Sequence, residues 1–184
     1  YDRFVVLTKE DQGYWGALPN ICVIPNALPF TTDAPSDCRA HRVVAAGRYD
    51  FQKNFELLIR LWARLAPSFP DWELYIVGDG KMRAELTALV TSLGLTGSIT
   101  LATPTHQMQE VYRSSSVYAM TSRYEGLPMV LLEAQQMGLP IVSFACPCGP
   151  RDVITDGRDG FLIELGDEER FVAGLSRLMS DEEL

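Results

Sequence analysis

The stretch Arg42-VVAAGRYDFQKNFELLIRLWARLAPSFPDWELYIVGD-Gly80 reads as strand, helix and strand in one unbroken pass. Residues 42–46 form a short apolar run closed by Gly47, which fits a buried strand. From residue 54 to 65, Phe55, Leu57, Leu58, Leu61, Trp62 and Leu65 recur at helical spacing, so one helix face is apolar. Residues 72–77 are strand-like again and run into Gly78-Asp79-Gly80. Two strands joined by a helix in this way pair in parallel, because the crossover returns the chain to its starting end.

The alternation continues downstream. Helices are expected at 82–93, 107–113, 128–137 and 168–179, with Gly94 and Gly138 as stops. Strands are expected at 98–102, 117–120, 140–144 and 160–164. The pattern predicts an α/β fold, a Rossmann-like parallel sheet with helices on both faces. Upstream, residues 3–8 and 21–24 read as short strands around a short helix at 9–15, and residues 27–40 are rich in Pro, Thr, Asp and Ser. The expected organisation is therefore 1–30 as the end of a preceding domain or an inter-domain crossing, 31–40 as a linker, and 41–184 as the Rossmann-like domain. Because it opens abruptly on a strand-like run, the chain reads as a piece of something longer.

Composition narrows the function classes. The 184 residues are 47% hydrophobic and 22% charged, an ordinary globular balance. With 16 basic and 24 acidic residues the net charge is −8, which argues against nucleic acid as a partner. A single local phosphate site remains open, since helix N-termini and a few cations suffice. Cys22, Cys38, Cys146 and Cys148 lack zinc-ligand spacing and read as reduced thiols, which favours a cytoplasmic setting. No apolar run reaches membrane-spanning length and no signal peptide is visible.

In such sheets ligands gather at the carboxyl ends of the strands. Four loops there carry polar chemistry. Gly47 and Arg48 to Lys53 offer two cations suited to a diphosphate leaving group. Gly78-Asp79-Gly80 allows close backbone approach, but Arg83 stands where a dinucleotide fingerprint needs its third glycine, which disfavours a dehydrogenase. The loop at 102–106 holds Pro104 and His106, the latter reading as solvated or capping. In Ser122-Arg123-Tyr124-Glu125-Gly126-Leu127-Pro128, the proline suits a first helical position and the helix behind it presents free N–H groups. Glu133 follows Glu125 by eight residues, a span of roughly 10 Å if the helix starts at Pro128. That separation suits two grips on an extended ligand better than an acid/base pair sharing one bond. Taken singly, the Arg48–Lys53 loop and the Glu125–Glu133 segment read better as solvated surface, and Asp79 fits a tight turn. Phe55, Trp62 and Trp72 read as core, and Asp156 to Gly160 as a turn before a strand.

Together these motifs, in the order Arg48 with Lys53, Val77-Gly78-Asp79-Gly80, Ser122-x-x-Glu125-Gly126-x-Pro128-x-Val130-x-x-Glu133-Ala134 and Gly138-x-Pro140-Ile141-Val142, resemble the C-terminal donor-binding domain of retaining GT-B glycosyltransferases of family 4, the glycosyl transferases group 1. Glu125 and Glu133 match that family's E-x₇-E motif. Gly149-Pro150-Arg151-Asp152-Val153-Ile154-x-Asp156-Gly157-x-x-Gly160-Phe161-Leu162 is similar to the family's end of domain, and Val23-Ile24-Pro25-Asn26 to its inter-domain crossing. Cys146-Pro147-Cys148-Gly149 resembles bacterial polysaccharide-building members. Leu127 stands where an aromatic is common and Asn54 where glycine is common.

The resemblance implies retaining hexosyl transfer from a UDP- or GDP-linked sugar, with no cofactor and no obligatory metal. It implies Arg48, Lys53 and Glu125 as catalytic residues, the two cations on the diphosphate and Glu125 on donor-sugar hydroxyls. Glu133 would hold the ribose. Gly47, Gly78, Gly80, Pro104, Ser122, Gly126, Leu127 and Pro128 would line the donor. The acceptor, a sugar or lipid-linked glycan, would bind through an N-terminal domain, with the complete enzyme at the inner face of the membrane. The chain by itself is then expected to bind donor nucleotide weakly and to transfer no sugar. A sugar-nucleotide epimerase of the same architecture and a non-catalytic nucleotide-binding module stand as the rival readings.

Overall fold

A computed structural model describes residues 2–28, 30–32 and 34–181; the outer bounds expected at 1 and 184 lie outside the described residues. The elements run β1 (Phe4–Val6), α1 (Lys9–Tyr14), β2 (Ile21–Val23), β3 (Arg42–Ala46), α2 (Phe55–Leu65), β4 (Glu73–Val77), α3 (Arg83–Ser92), β5 (Ile99–Ala102), α4 (Met108–Arg113), β6 (Val117–Met120), α5 (Met129–Gln136), β7 (Ile141–Phe144), α6 (Pro150–Val153), β8 (Gly160–Ile163) and α7 (Glu168–Ser180).

β3 to β8 form one parallel sheet in the order β5-β4-β3-β6-β7-β8. The chain first builds outward from β3 to β5, then returns past β3 and builds the other way. The switch between β3 and β6 opens a crevice at their carboxyl ends.

Period-two alternation divides the strands between two cores. Val43, Ala45, Val117, Ala119, Val142 and Phe144 point to one face, under α2, α3 and α7. Val44, Tyr118, Met120 and Ile141 point to the other, under α4, α5 and α6. Helices thus cover both faces, as expected of near-continuous apolar strands. Phe55, Trp62 and Trp72 are buried core, as read from the sequence.

Two details differ from the sequence reading. Residues 150–153 form α6, with Pro150 in its first turn; four residues are too few to show helical periodicity. Pro128 has extended backbone and caps α5 from outside, instead of opening it. β1 and β2 pair in parallel as a separate two-stranded sheet. The stretch read as a linker is tied to the main body: Ser36 donates its N–H to Met137 O at 2.8 Å and its hydroxyl to Ser115 O. No helix among the described residues is long and apolar enough to cross a membrane.

Candidate functional site

A cavity of about 340 Å³ lies at the switch point. Gly47 and Arg48 reach it from the β3–α2 loop, Gly78 and Asp79 from β4, Pro104 from beyond β5, and Glu133 from α5. Five of the residues expected around a donor therefore share one hollow: Gly47, Arg48, Gly78, Pro104 and Glu133. Its remaining walls are largely apolar, including Val77, Met108 and Val130.

Two glycines bring the first two loops together. A Cβ on Gly78 would fall 1.9 Å from Gly47 O, inside any possible contact. Gly80 meets the Tyr49 backbone the same way, at 2.5 Å from its carbonyl oxygen. Gly80 therefore joins two loops and does not line the cavity. Arg83, in the place of the missing third glycine, donates to Asp79, to Gly78 O at 2.6 Å and to Ala102 O, and stacks on Tyr49. The Arg83 hydrogen bond holds the Asp79 carboxyl below its ordinary range, with the Gly80 N–H assisting. Asp79 is thus a tethered turn residue.

Lys53 and Glu125 sit beside the cavity as an ion pair, Nζ to Oε1 at 2.7 Å, with side chains 15% and 7% exposed. The Lys53 stem runs against Gly47, where a Cβ would lie 2.8 Å from Cε, so the pair adjoins the cavity wall. Gln52 Nε2 donates to Tyr124 O at 3.0 Å and to the second Glu125 oxygen at 3.4 Å. Both carboxylate oxygens of Glu125 are therefore engaged, which disfavours a free nucleophile. The Glu125 backbone is pinned as well: its N–H donates to Pro147 O at 2.6 Å and its carbonyl accepts from Cys148 N at 3.1 Å.

Gly149 completes that seat, with φ +96 and a Cβ position 2.5 Å from Pro128 Cδ and 2.8 Å from Gly126 O. The Gly126–Leu127–Pro128 turn thus leans on the β7–α6 loop. No side chain caps α5; Leu131 N donates to Pro128 O at 3.0 Å, and no described side chain takes the N–H groups of Met129 and Val130 ahead of it. Burial pushes the neighbouring Cys146 thiol up to about 12, so it stays protonated near neutral pH.

Arg48 carries 76% side-chain exposure, pairs with Asp50 at 3.4 Å and donates to Gln52 Oε1 at 3.5 Å, both long contacts on an exposed side chain. Ser122 is buried, and its hydroxyl has no hydrogen-bond partner among the described residues. Asn54 explains its own departure from glycine: its backbone is left-handed, φ 54 and ψ 39, and its Oδ1 accepts from Arg123 at 2.7 Å. His106 is exposed and does not line the cavity. Gln52, Tyr112, Arg123 and the 147–149 backbone were missed as site residues, although the motif containing Gly149 was visible.

A larger hollow of about 770 Å³ opens at the other end of the sheet, around Gly138 to Pro140 and Gly160. It faces the amino ends of β7 and β8, away from the Lys53–Glu125 pair and the start of α5. The residues expected around a donor line the smaller cavity instead.

Residues 36–184 match the profile described as glycosyl transferases group 1. The chain belongs to that family. It is 39% identical over its whole length to the amylovoran biosynthesis glycosyltransferase AmsD of Erwinia amylovora and spans 54% of that relative, about half its length. Among solved structures, the lipopolysaccharide outer core galactosyltransferase WaaB superposes with a TM-score of 0.80 at 27% identity, over 97% of this chain and 53% of that one. The pneumococcal O-GlcNAc transferase GtfA, solved with UDP and GlcNAc, gives 0.84 at 22% identity, over 100% and 39%. This group 1 glycosyltransferase chain has the fold of one Rossmann-like domain of its GT-B structural neighbours, and its relatives include bacterial enzymes of polysaccharide and lipopolysaccharide synthesis.

Proposed function

We propose that the switch-point cavity and the Lys53–Glu125 pair beside it form the donor site of a retaining family 4 enzyme. The donor is a UDP- or GDP-linked hexose and the acceptor a glycan or lipid-linked glycan of bacterial surface polysaccharide synthesis. The observation that carries the reading is the convergence of Gly47, Arg48, Gly78, Pro104 and Glu133 on one cavity, with the ion pair against its Gly47 wall. Glu133 takes the ribose hydroxyls and Glu125 the donor-sugar hydroxyls.

As the anomeric C–O bond breaks, negative charge builds on the diphosphate. Arg48 turns onto it, the two ammonium protons of Lys53 not given to Glu125 reach it, and the open N–H groups of α5 face it. These fixed positive groups stabilise the departing diphosphate without an obligatory metal. The anomeric carbon keeps its configuration when the acceptor hydroxyl oxygen attacks from the face the diphosphate leaves, and the hydroxyl proton passes to the departing diphosphate oxygen. The acceptor binds outside this chain, and the complete enzyme works at the inner face of the membrane.

Calorimetry with UDP, GDP and ADP tests the reading. One of the three should bind, and exposed Arg48, replaced by alanine, should weaken it about tenfold, the loss of one charged hydrogen bond. Heat from none of the three would remove the donor assignment. Unchanged affinity in Arg48→Ala would remove Arg48 from the diphosphate.

A further inference from the structure

We propose that Tyr112 is a positioning residue that fixes the Glu133 carboxylate for a ribose diol and so gives the site its preference for ribonucleotides; this rests on the donor reading above. Tyr112 is buried on α4, and its hydroxyl donates to Glu133 Oε2 at 2.7 Å across the cavity wall that both residues line. Glu133 Oε1 accepts no hydrogen bond from any described residue. One carboxylate oxygen is thus held by the protein and the other is left for a ligand.

The chemistry of the holder matters. Burial raises the phenol above its ordinary range, so Tyr112 keeps its proton at any working pH. A neutral phenol facing a carboxylate can only donate to it. The ring itself is fixed by other contacts. It packs on Tyr118 with centroids 6.1 Å apart, and Tyr118 is bonded at its hydroxyl to Ala46 N at 3.2 Å, at the end of β3. Tyr112 therefore ties the α5 glutamate to the strand end that carries Gly47 and Arg48. Vicinal ribose hydroxyls donate to a carboxylate best when it is already turned toward them, since no rotamer freedom is then lost on binding. A 2′,3′-dideoxy nucleotide has neither hydroxyl and should not sense the orientation.

The experiment compares UDP and GDP with their 2′,3′-dideoxy analogues by calorimetry, in the unmodified chain and in Tyr112→Phe, Glu133→Gln and Glu133→Ala. The unmodified chain should favour its ribonucleotide about tenfold or more, the usual effect of one charged hydrogen bond. Glu133→Ala should abolish that ratio. Tyr112→Phe should cut it severalfold while leaving dideoxy affinity unchanged, an outcome that a misfolded protein cannot give. In Glu133→Gln the phenol should take the amide oxygen and turn the NH₂ group to the ribose, which keeps at most a neutral hydrogen bond, so the preference should fall severalfold. A full ribose preference in Tyr112→Phe, or in Glu133→Gln, would overturn the role of Tyr112. A preference surviving in Glu133→Ala would instead overturn the ribose assignment of Glu133.

Discussion

Lys53 and Glu125 are nearly out of solvent, so neither is easily left alone. Removing one member of such a pair strands a charge, whereas replacing both relieves it. Lys53→Met should therefore cost about 3 kcal/mol in urea denaturation, with Gln52 as the remaining partner of Glu125. The double variant Lys53→Met, Glu125→Gln should recover most of that loss while failing to bind nucleotide. A single-variant cost below about 0.5 kcal/mol would mark the pair as an ordinary surface contact. The four charged residues expected at the site, Arg48, Lys53, Glu125 and Glu133, stood out only through the joint order of their motifs, since each taken alone reads as a solvated side chain. Their partners did not stand out. Gln52 meets Glu125 across 73 residues and Tyr112 meets Glu133 across 21, and no local pattern encodes either meeting. Tyr112 was hidden in plain view as part of an apolar helix face.

Elements of the Rossmann-like unit were legible because each strand and helix carries its own pattern, and α6 was lost because its four residues barely complete one turn. Strand order was a different matter. Alternation predicts parallel pairing, but that β6 pairs with β3 and not with β5 depends on contacts between Val43, Val44, Val117 and Tyr118, which the linear sequence does not mark. The same limit hid the seat of the Glu125 turn. Gly149 has left-handed φ and faces Pro128 and Gly126, whereas Gly157 has left-handed φ and faces open space. Gly157→Ala should cost about 1–2 kcal/mol from backbone strain alone and leave nucleotide affinity intact. Gly149→Ala should add steric displacement of the turn at the start of α5 and weaken nucleotide binding about tenfold, roughly 1.4 kcal/mol. Thermal melts and calorimetry on the two variants separate strain from displacement. Equal affinities in both would show that the β7–α6 loop does not hold the site.

At the scale of the molecule, the β1–α1–β2 unit is joined to the main body by two helix ends that cap each other. The Asp152 carboxylate on α6 accepts from Lys9 N and Glu10 N at 3.0 and 3.2 Å, closing the start of α1. Glu10 in turn accepts from Gly149 N at 3.1 Å, beside the start of α6. Little else steadies this unit: a two-stranded sheet is marginal in water, and Val5, Trp15 and Ile24 stay exposed on it. Loss of a cap costs about 1 kcal/mol, and Asp152 supplies the cap for two N–H groups at once. Such a loss is small for the six-stranded sheet and large for a unit with so few buried side chains. Asp152→Ala should therefore raise amide hydrogen exchange across residues 4–23 while β3, β4 and β6 keep their protection. Because Gly149 also seats the Glu125 turn, exchange at Cys148 and Gly149 should rise with it, carrying the disturbance from the first unit toward the site. Protection lost evenly across the whole chain would mean that the two units unfold as one, and unchanged protection at residues 4–23 would mean that the caps do not join them.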